Sequence, residues 1–116
     1  MTHTVNPKST RAALPNRRPS RTYSTAWEGH QITVTVGFHP ATGQPMEVFA
    51  DAEKGGQMQA TIADACVWAS LALQHGIPPE ALAKSLSRVP DLFTGQGADL
   101  PGSPLGVIAG ILMEAA

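Results

Sequence analysis

Three runs between Tyr23 and Ala50 alternate apolar and polar residues, and that period of two constrains the chain more tightly than any other feature. Tyr23, Thr25 and Trp27 fall on one side of the first run. Ile32, Val34, Val36 and Phe38 do so in the second, and Met46, Val48 and Ala50 in the third. Strand side chains point alternately to opposite faces, so each run offers one face to a core and one to water. Glu28-Gly29 separates the first two runs, and His39-Pro40-Ala41-Thr42-Gly43-Gln44-Pro45 the second and third. Both gaps are of hairpin size and hold the Gly or Pro that a turn needs. The pattern predicts an antiparallel meander with one wet face. Nothing in it has the look of catalysis.

Charge divides the chain just before this block. Residues 1–21 hold five Lys or Arg and no acid, a balance of +5; residues 22–116 hold three against nine acids, a balance of −6. The first segment is rich in Pro, Ser, Thr and Asn and poor in large apolar groups. It cannot bury enough surface to offset the entropy of ordering. The expectation is a flexible basic arm over residues 1–21 and one α+β domain over residues 22–116. The acidic body argues against a broad nucleic-acid surface there, whereas Arg17, Arg18 and Arg21 are candidates for phosphate or partner contacts. A single cysteine, Cys66, excludes an internal disulfide and gives no zinc-site spacing. No run approaches the roughly 20 apolar residues of a membrane span, and no apolar signal core opens the chain. A cytoplasmic protein without membrane contact is expected.

Beyond the meander the period changes to that of a helix, from about Gln57 to His75. Met58, Ile62, Ala65, Ala69 and Ala72 share a face, and Cys66, Trp68, Leu71 and Leu73 carry the apolar surface almost all the way round. Gln57, Thr61 and Asp64 form a polar stripe on the first half only. Such a helix is expected to be buried on more than one side, within the domain or in an oligomer interface. Gly76 suits the left-handed position after its last turn, with Ile77 packing back. Pro79 opens a shorter second helix with Leu82, Leu86 and Val89 along its apolar edge. Residues 94–102 show neither period and read as a mobile loop. Ser103 and Pro104 supply the N-cap and first position of a last helix, with Leu105, Ile108, Ala109 and Leu112 facing inward. The predicted fold class is α+β: a three-stranded antiparallel meander packed against two or three helices.

Few residues suggest chemistry. The glycines of residues 94–102 precede a helix N-terminus, but no Lys-Ser/Thr follows and no strand leads in, so a P-loop is not formed. Cys66 lies mid-helix among Ala65, Val67 and Trp68, where a thiol is inert and small enough for a core. His3, His30, His39 and His75 share no metal-ligand spacing; His30 and His39 lie about 30 Å apart when extended. Glu47 and Asp51 alternate with the apolar residues of the third strand and belong to its wet face, with Phe49 between them. Paired acids there keep a surface solvated unless a pocket separates their pKa values. Phe49 on that face calls for a cover, from a partner or the arm. Gly106 and Gly110 allow the last helix to approach a neighbour closely.

Several strings in order then carry a resemblance. They are Leu14-Pro15-Asn16-Arg17-Arg18, Gly29-His30-Gln31-Ile32, the segment 43–49, the segment 69–80 and the segment 103–109. Over roughly residues 13–114 the chain resembles the C-terminal TSCPD-type domain of cobalamin-dependent (class II) ribonucleotide reductases, which also occurs free-standing. The Thr-Ser-Cys-Pro-Asp string itself is absent, Gly102-Ser103-Pro104-Leu105 standing nearest to it. The resemblance implies a place in deoxyribonucleotide synthesis, hence DNA biosynthesis, with radical cysteines and cobalamin held by a separate catalytic chain. No cofactor or metal is expected on this one, and no ribonucleotide reduction from it alone. The expected function is an accessory or regulatory protein acting in trans with that catalytic chain. A homodimer is expected too, with Glu47, Phe49, Trp68 and Leu71 as candidate partner or interface residues. The alternative is a small nucleic-acid-associated protein of phage or mobile-element type, using its basic arm. An enzyme built on the Glu47 face is the third reading.

Overall fold

The alternating runs form the strands their period predicts: β1 (Ser20–Trp27), β2 (His30–Phe38) and β3 (Pro45–Ala52), antiparallel and in that order. The computed structural model describes residues 10–53, 56–93 and 99–116. Glu28 and Gly29 both take positive φ, 47° and 79°, which makes the two-residue turn whose twist matches the strands it joins. Trp27 and His30 close that hairpin. Val36 then faces Val48, Val34 faces Ala50 and Ile32 faces Ala52, so the apolar residues of both strands share one face. The register shifts between Gly37 and Phe38.

That face is covered by two helices. α1 (Gly56–Gln74) runs along β3, and α3 (Pro104–Ala115) lies across the three strands. Ile62, Cys66 and Leu73 of α1 and Ile108, Ile111 and Leu112 of α3 join Ile32, Val34, Val36 and Val48 in one core. α1 ends as its sequence predicts. Gly76 takes φ 92°, its N–H donates to the Leu73 carbonyl, and the Ile77 N–H donates to that of Ala72, each at 3.0 Å. This pair of bonds satisfies carbonyls that the helix end would otherwise leave open. A short α2 (Pro79–Lys84) follows, with Pro79 in its first turn. Pro104 likewise starts α3, although Ser103, extended at the N-cap, makes no side-chain capping bond.

Three features differ from expectation. Arg88–Pro90 (β4) pairs antiparallel with Asp99–Pro101 (β5), so the far end of the expected loop is a strand; residues 94–98 lie outside the described residues. Residues 88–90 and 99–101 are too short to reveal a period, which is why no strand was legible. Second, the segment ahead of the sheet makes specific contacts from Arg11 onward, and Ser20 and Arg21 already belong to β1. The Ala12 N–H donates to the Gln74 carbonyl at 2.8 Å, and the Phe38 N–H to that of Pro19 at 2.9 Å. Third, α1 is buried along one side rather than around: Val67, Trp68 and Leu71 are exposed. One sheet and two short helices cannot wrap a 19-residue helix.

The outer edge of β3 is closed by α1 through side chains. The Ser70 hydroxyl accepts from the Val48 N–H at 3.0 Å and donates to the Val48 carbonyl at 3.2 Å. Gln59 accepts from the Ala52 N–H and donates to the Ala50 carbonyl at 3.3 Å. Gln74 donates to the Met46 carbonyl at 3.0 Å. Three polar side chains thus stand in for a fourth strand.

Candidate docking surface

Arg18 and Glu47 meet across the end of the sheet. The guanidinium binds the carboxylate through two nitrogens, Nε to Oε2 and Nη2 to Oε1, the latter at 3.0 Å. Nη1 donates to the Pro15 carbonyl at 2.8 Å and fixes the bend that brings Arg18 over the strands. Glu47 is 6% exposed, not on an open wet face as its alternation implied. The cause lies opposite it. Gly37 pairs with Glu47 in the register, and a Cβ at Gly37 would overlap the Glu47 carboxylate. The glycine leaves a trough in which the acid lies flat beneath Arg18. Hydrogen bonding to Glu47 holds the Arg18 guanidinium above its ordinary pKa, against the opposing effect of desolvation.

The remaining candidate residues separate into two places. Arg21 sits over the Phe38 ring, 5.7 Å from its centroid, a cation–π contact. Arg17 is exposed. Arg11 bonds the Gln74 side-chain oxygen, which ties the segment before the sheet to the end of α1. Asp51 and Phe49 are exposed on the outer sheet face as predicted, beside Thr33 and Thr35. Trp68 is 79% exposed and not a core residue, and Leu71 and Val67 lie beside it on the outer side of α1. These three make an apolar stripe on a surface helix.

Beyond Trp68 the stripe runs into a cleft of about 300 Å³ between α1, α2 and α3. Its walls are apolar, with Ala65, Ala69 and Ala72 on one side and Leu82, Leu86 and Leu105 on the other. The alanines that read as a core face in the sequence therefore line an open recess. Gly106 packs against Pro101, where a Cβ would stand 2.7 Å from the proline Cβ. Gly110 faces open space, so only the first glycine of the pair serves a close approach.

Among the described residues no three His, Cys, Asp or Glu side chains gather as a metal site would require. No helix of the described residues is long and apolar enough to cross a membrane. His39 Nδ1 accepts from the Ala41 N–H at 3.1 Å, a turn contact. His3 lies outside the described residues. Cys66 is buried, and burial, with a smaller contribution from Asp51, pushes its thiol up to about 11. Because unfolding lets the thiol ionise at lower pH, the contribution is fully present below about pH 9. It is lost as pH rises towards about 11. At pH 8 the folded thiolate fraction is then roughly a hundredfold smaller than the unfolded one. Iodoacetamide labelling, followed by intact mass, should be slow in buffer and rapid in urea. Equal rates would show Cys66 to be accessible and ordinary.

The described residues thus form a small α+β meander with a polar Arg18–Glu47 latch and an exposed apolar stripe on α1. The TSCPD domain family model matches residues 5–116, and the chain belongs to that family. It is 35% identical over 81 residues to a protein of Rhodopirellula baltica named vitamin B12-dependent ribonucleotide reductase. The match takes in 69% of this chain and 8% of that relative, so the chain corresponds to a small part of the reductase's length. No solved structure matches it.

Proposed function

We propose that this chain is an accessory subunit that works in trans with the catalytic chain of a vitamin B12-dependent ribonucleotide reductase in the cytoplasm. The observation that carries the reading is the relative, a reductase of which this domain is a small fraction. The exposed Val67, Trp68 and Leu71 of α1 are the surface assigned to the catalytic chain. An apolar stripe on a surface helix is the usual mark of a protein contact. The role is positional: the subunit steadies or places the catalytic chain and supplies no reacting group.

We assign cobalamin, which the relative's name implies, to the catalytic chain. The cleft is walled by apolar side chains, none of its lining residues is a histidine, and nothing polar converges on it. No step of the reaction is assigned to this chain. Of the arginines that a nucleic-acid reading would use, Arg18 is engaged by Glu47 and Arg21 lies over the Phe38 ring, while Arg17 is exposed.

Titration calorimetry against a separately produced catalytic chain tests the proposal. Wild-type protein should bind, and the double variant Val67→Asp, Leu71→Lys should lose at least about tenfold in affinity while keeping its melting temperature. Purified protein alone should reduce no ribonucleotide. Turnover by the chain alone, or no binding by the wild type, overturns the reading.

A further inference from the structure

Backbone pairing leaves the two edges of the sheet unequal. The Phe38 N–H donates to the Pro19 carbonyl at 2.9 Å, and the Glu53 N–H to that of Gln31 at 3.0 Å. Bonded pairs alternate along an antiparallel ladder, so these two bonds fix which way each strand residue points its N–H and carbonyl. On β3 those of Met46, Val48, Ala50 and Ala52 face outward, and side chains of α1 bond all four residues. On β1 those of Ser20, Thr22, Ser24 and Ala26 face outward, and no hydrogen bond reaches them among the described residues. This open edge is also long and unguarded. Sheet edges are ordinarily kept short, bulged, or set with charges or prolines. β1 runs for eight residues without a proline, and its pairing with β2 has no shift in register. Its one charge, Arg21, lies near its start and is held over the Phe38 ring.

We propose that β1 pairs antiparallel with β1 of a second copy, about a two-fold axis at Tyr23, so that the two sheets join into one. The strand's own sequence decides the occupant. With the axis at Tyr23, Thr22 falls opposite Ser24 and Ser20 opposite Ala26, so every outward N–H meets a carbonyl. Thr22 and Ser24 then oppose hydroxyl to hydroxyl on the outer face, where Thr22 already shares a hydrogen bond with Thr35 at 3.1 Å. Such cross-strand pairs stabilise a sheet. On the inner face Arg21 falls opposite Thr25, so no like charges meet, and Tyr23 meets Tyr23. Tyr23 and Trp27 pack against the core yet stay partly open, and the added strand covers them further. A foreign strand would have to match these positions with a sequence of its own; a second copy matches them by symmetry. The interface lies at the opposite edge of the sheet from α1, away from the dimer faces expected at Glu47, Phe49, Trp68 and Leu71. It therefore leaves the stripe on α1 free for the catalytic chain.

Sedimentation across a dilution series, with amide exchange followed by NMR, tests the pairing. Wild type should be dimeric at high micromolar concentration and dissociate on dilution. In the dimer the amides of Thr22, Ser24 and Ala26 should exchange at least about tenfold more slowly than in the diluted monomer. Ser24→Pro removes an outward N–H without touching a bond to β2, and should be monomeric. Thr22→Lys combined with Ser24→Lys sets lysine opposite lysine and should weaken the dimer at least about tenfold. Both side chains are exposed, so this variant keeps the fold. Mixed with a Thr22→Glu, Ser24→Glu variant, it should form a heterodimer tighter than either variant's own dimer. A wild type that stays monomeric at millimolar concentration overturns the proposal. So does a dimer untouched by these substitutions, or a charge-swapped mixture that yields no heterodimer. A dimer whose Thr22, Ser24 and Ala26 amides exchange as in the monomer would place the contact on another face and overturn it as well.

Discussion

Ile62→Ala is expected to lower the unfolding free energy by about 2–5 kcal/mol, and the melting temperature by more than roughly 10 °C for a domain of this size. Ile62 is 1% exposed and sits where α1 meets β3, at the centre of the core. The sheet and two helices fix its surroundings, so the space left by the lost methyl groups closes only in part. Trp68→Ala on the same helix should change stability by less than about 0.5 kcal/mol, because the indole is largely in water. Urea and thermal unfolding of the two variants make the comparison. Equal losses would place Trp68 in a packed site and remove the apolar stripe from the surface.

Gly37→Ala should be the next most damaging change. The added Cβ would occupy the trough in which the Glu47 carboxylate lies, so Glu47 would have to leave its place beneath Arg18. Overpacking of this kind costs about 1–3 kcal/mol, and the half-buried guanidinium loses its two-nitrogen grip as well. Glu47→Ala in the same background should return part of the loss, since the clash then disappears. That recovery distinguishes the trough from a general intolerance of side chains at Gly37. No loss of melting temperature in Gly37→Ala would show the latch to be dispensable.

The meander, its two-residue first turn and the end of α1 at Gly76 were legible because each follows from neighbours a few residues apart. Cys66 was legible for the same reason, an apolar position in a helix period. The fate of Glu47 was not, because it depends on Arg18, 29 residues away, and on a glycine in the facing strand. Trp68 misled for the opposite reason: an apolar residue on an apolar helix predicts burial only if enough chain exists to cover it. Gln59, Ser70 and Gln74 lie within a narrow arc of α1, so the signal for the β3 cap was present. Polar residues on a helix ordinarily face water, and nothing local reveals that a strand edge lies opposite. The β4–β5 pair fell below the length at which alternation can be read.

The closure of β3 by Gln59, Ser70 and Gln74 has a bearing on how copies of this chain can associate at high concentration. Strand-by-strand stacking into a fibre needs each added molecule to present a fresh edge for the next. Here one edge of the sheet is already occupied by the molecule's own helix, and β1 has no comparable caps among the described residues. Pairing through β1 would therefore consume the open edge of both copies and stop at two.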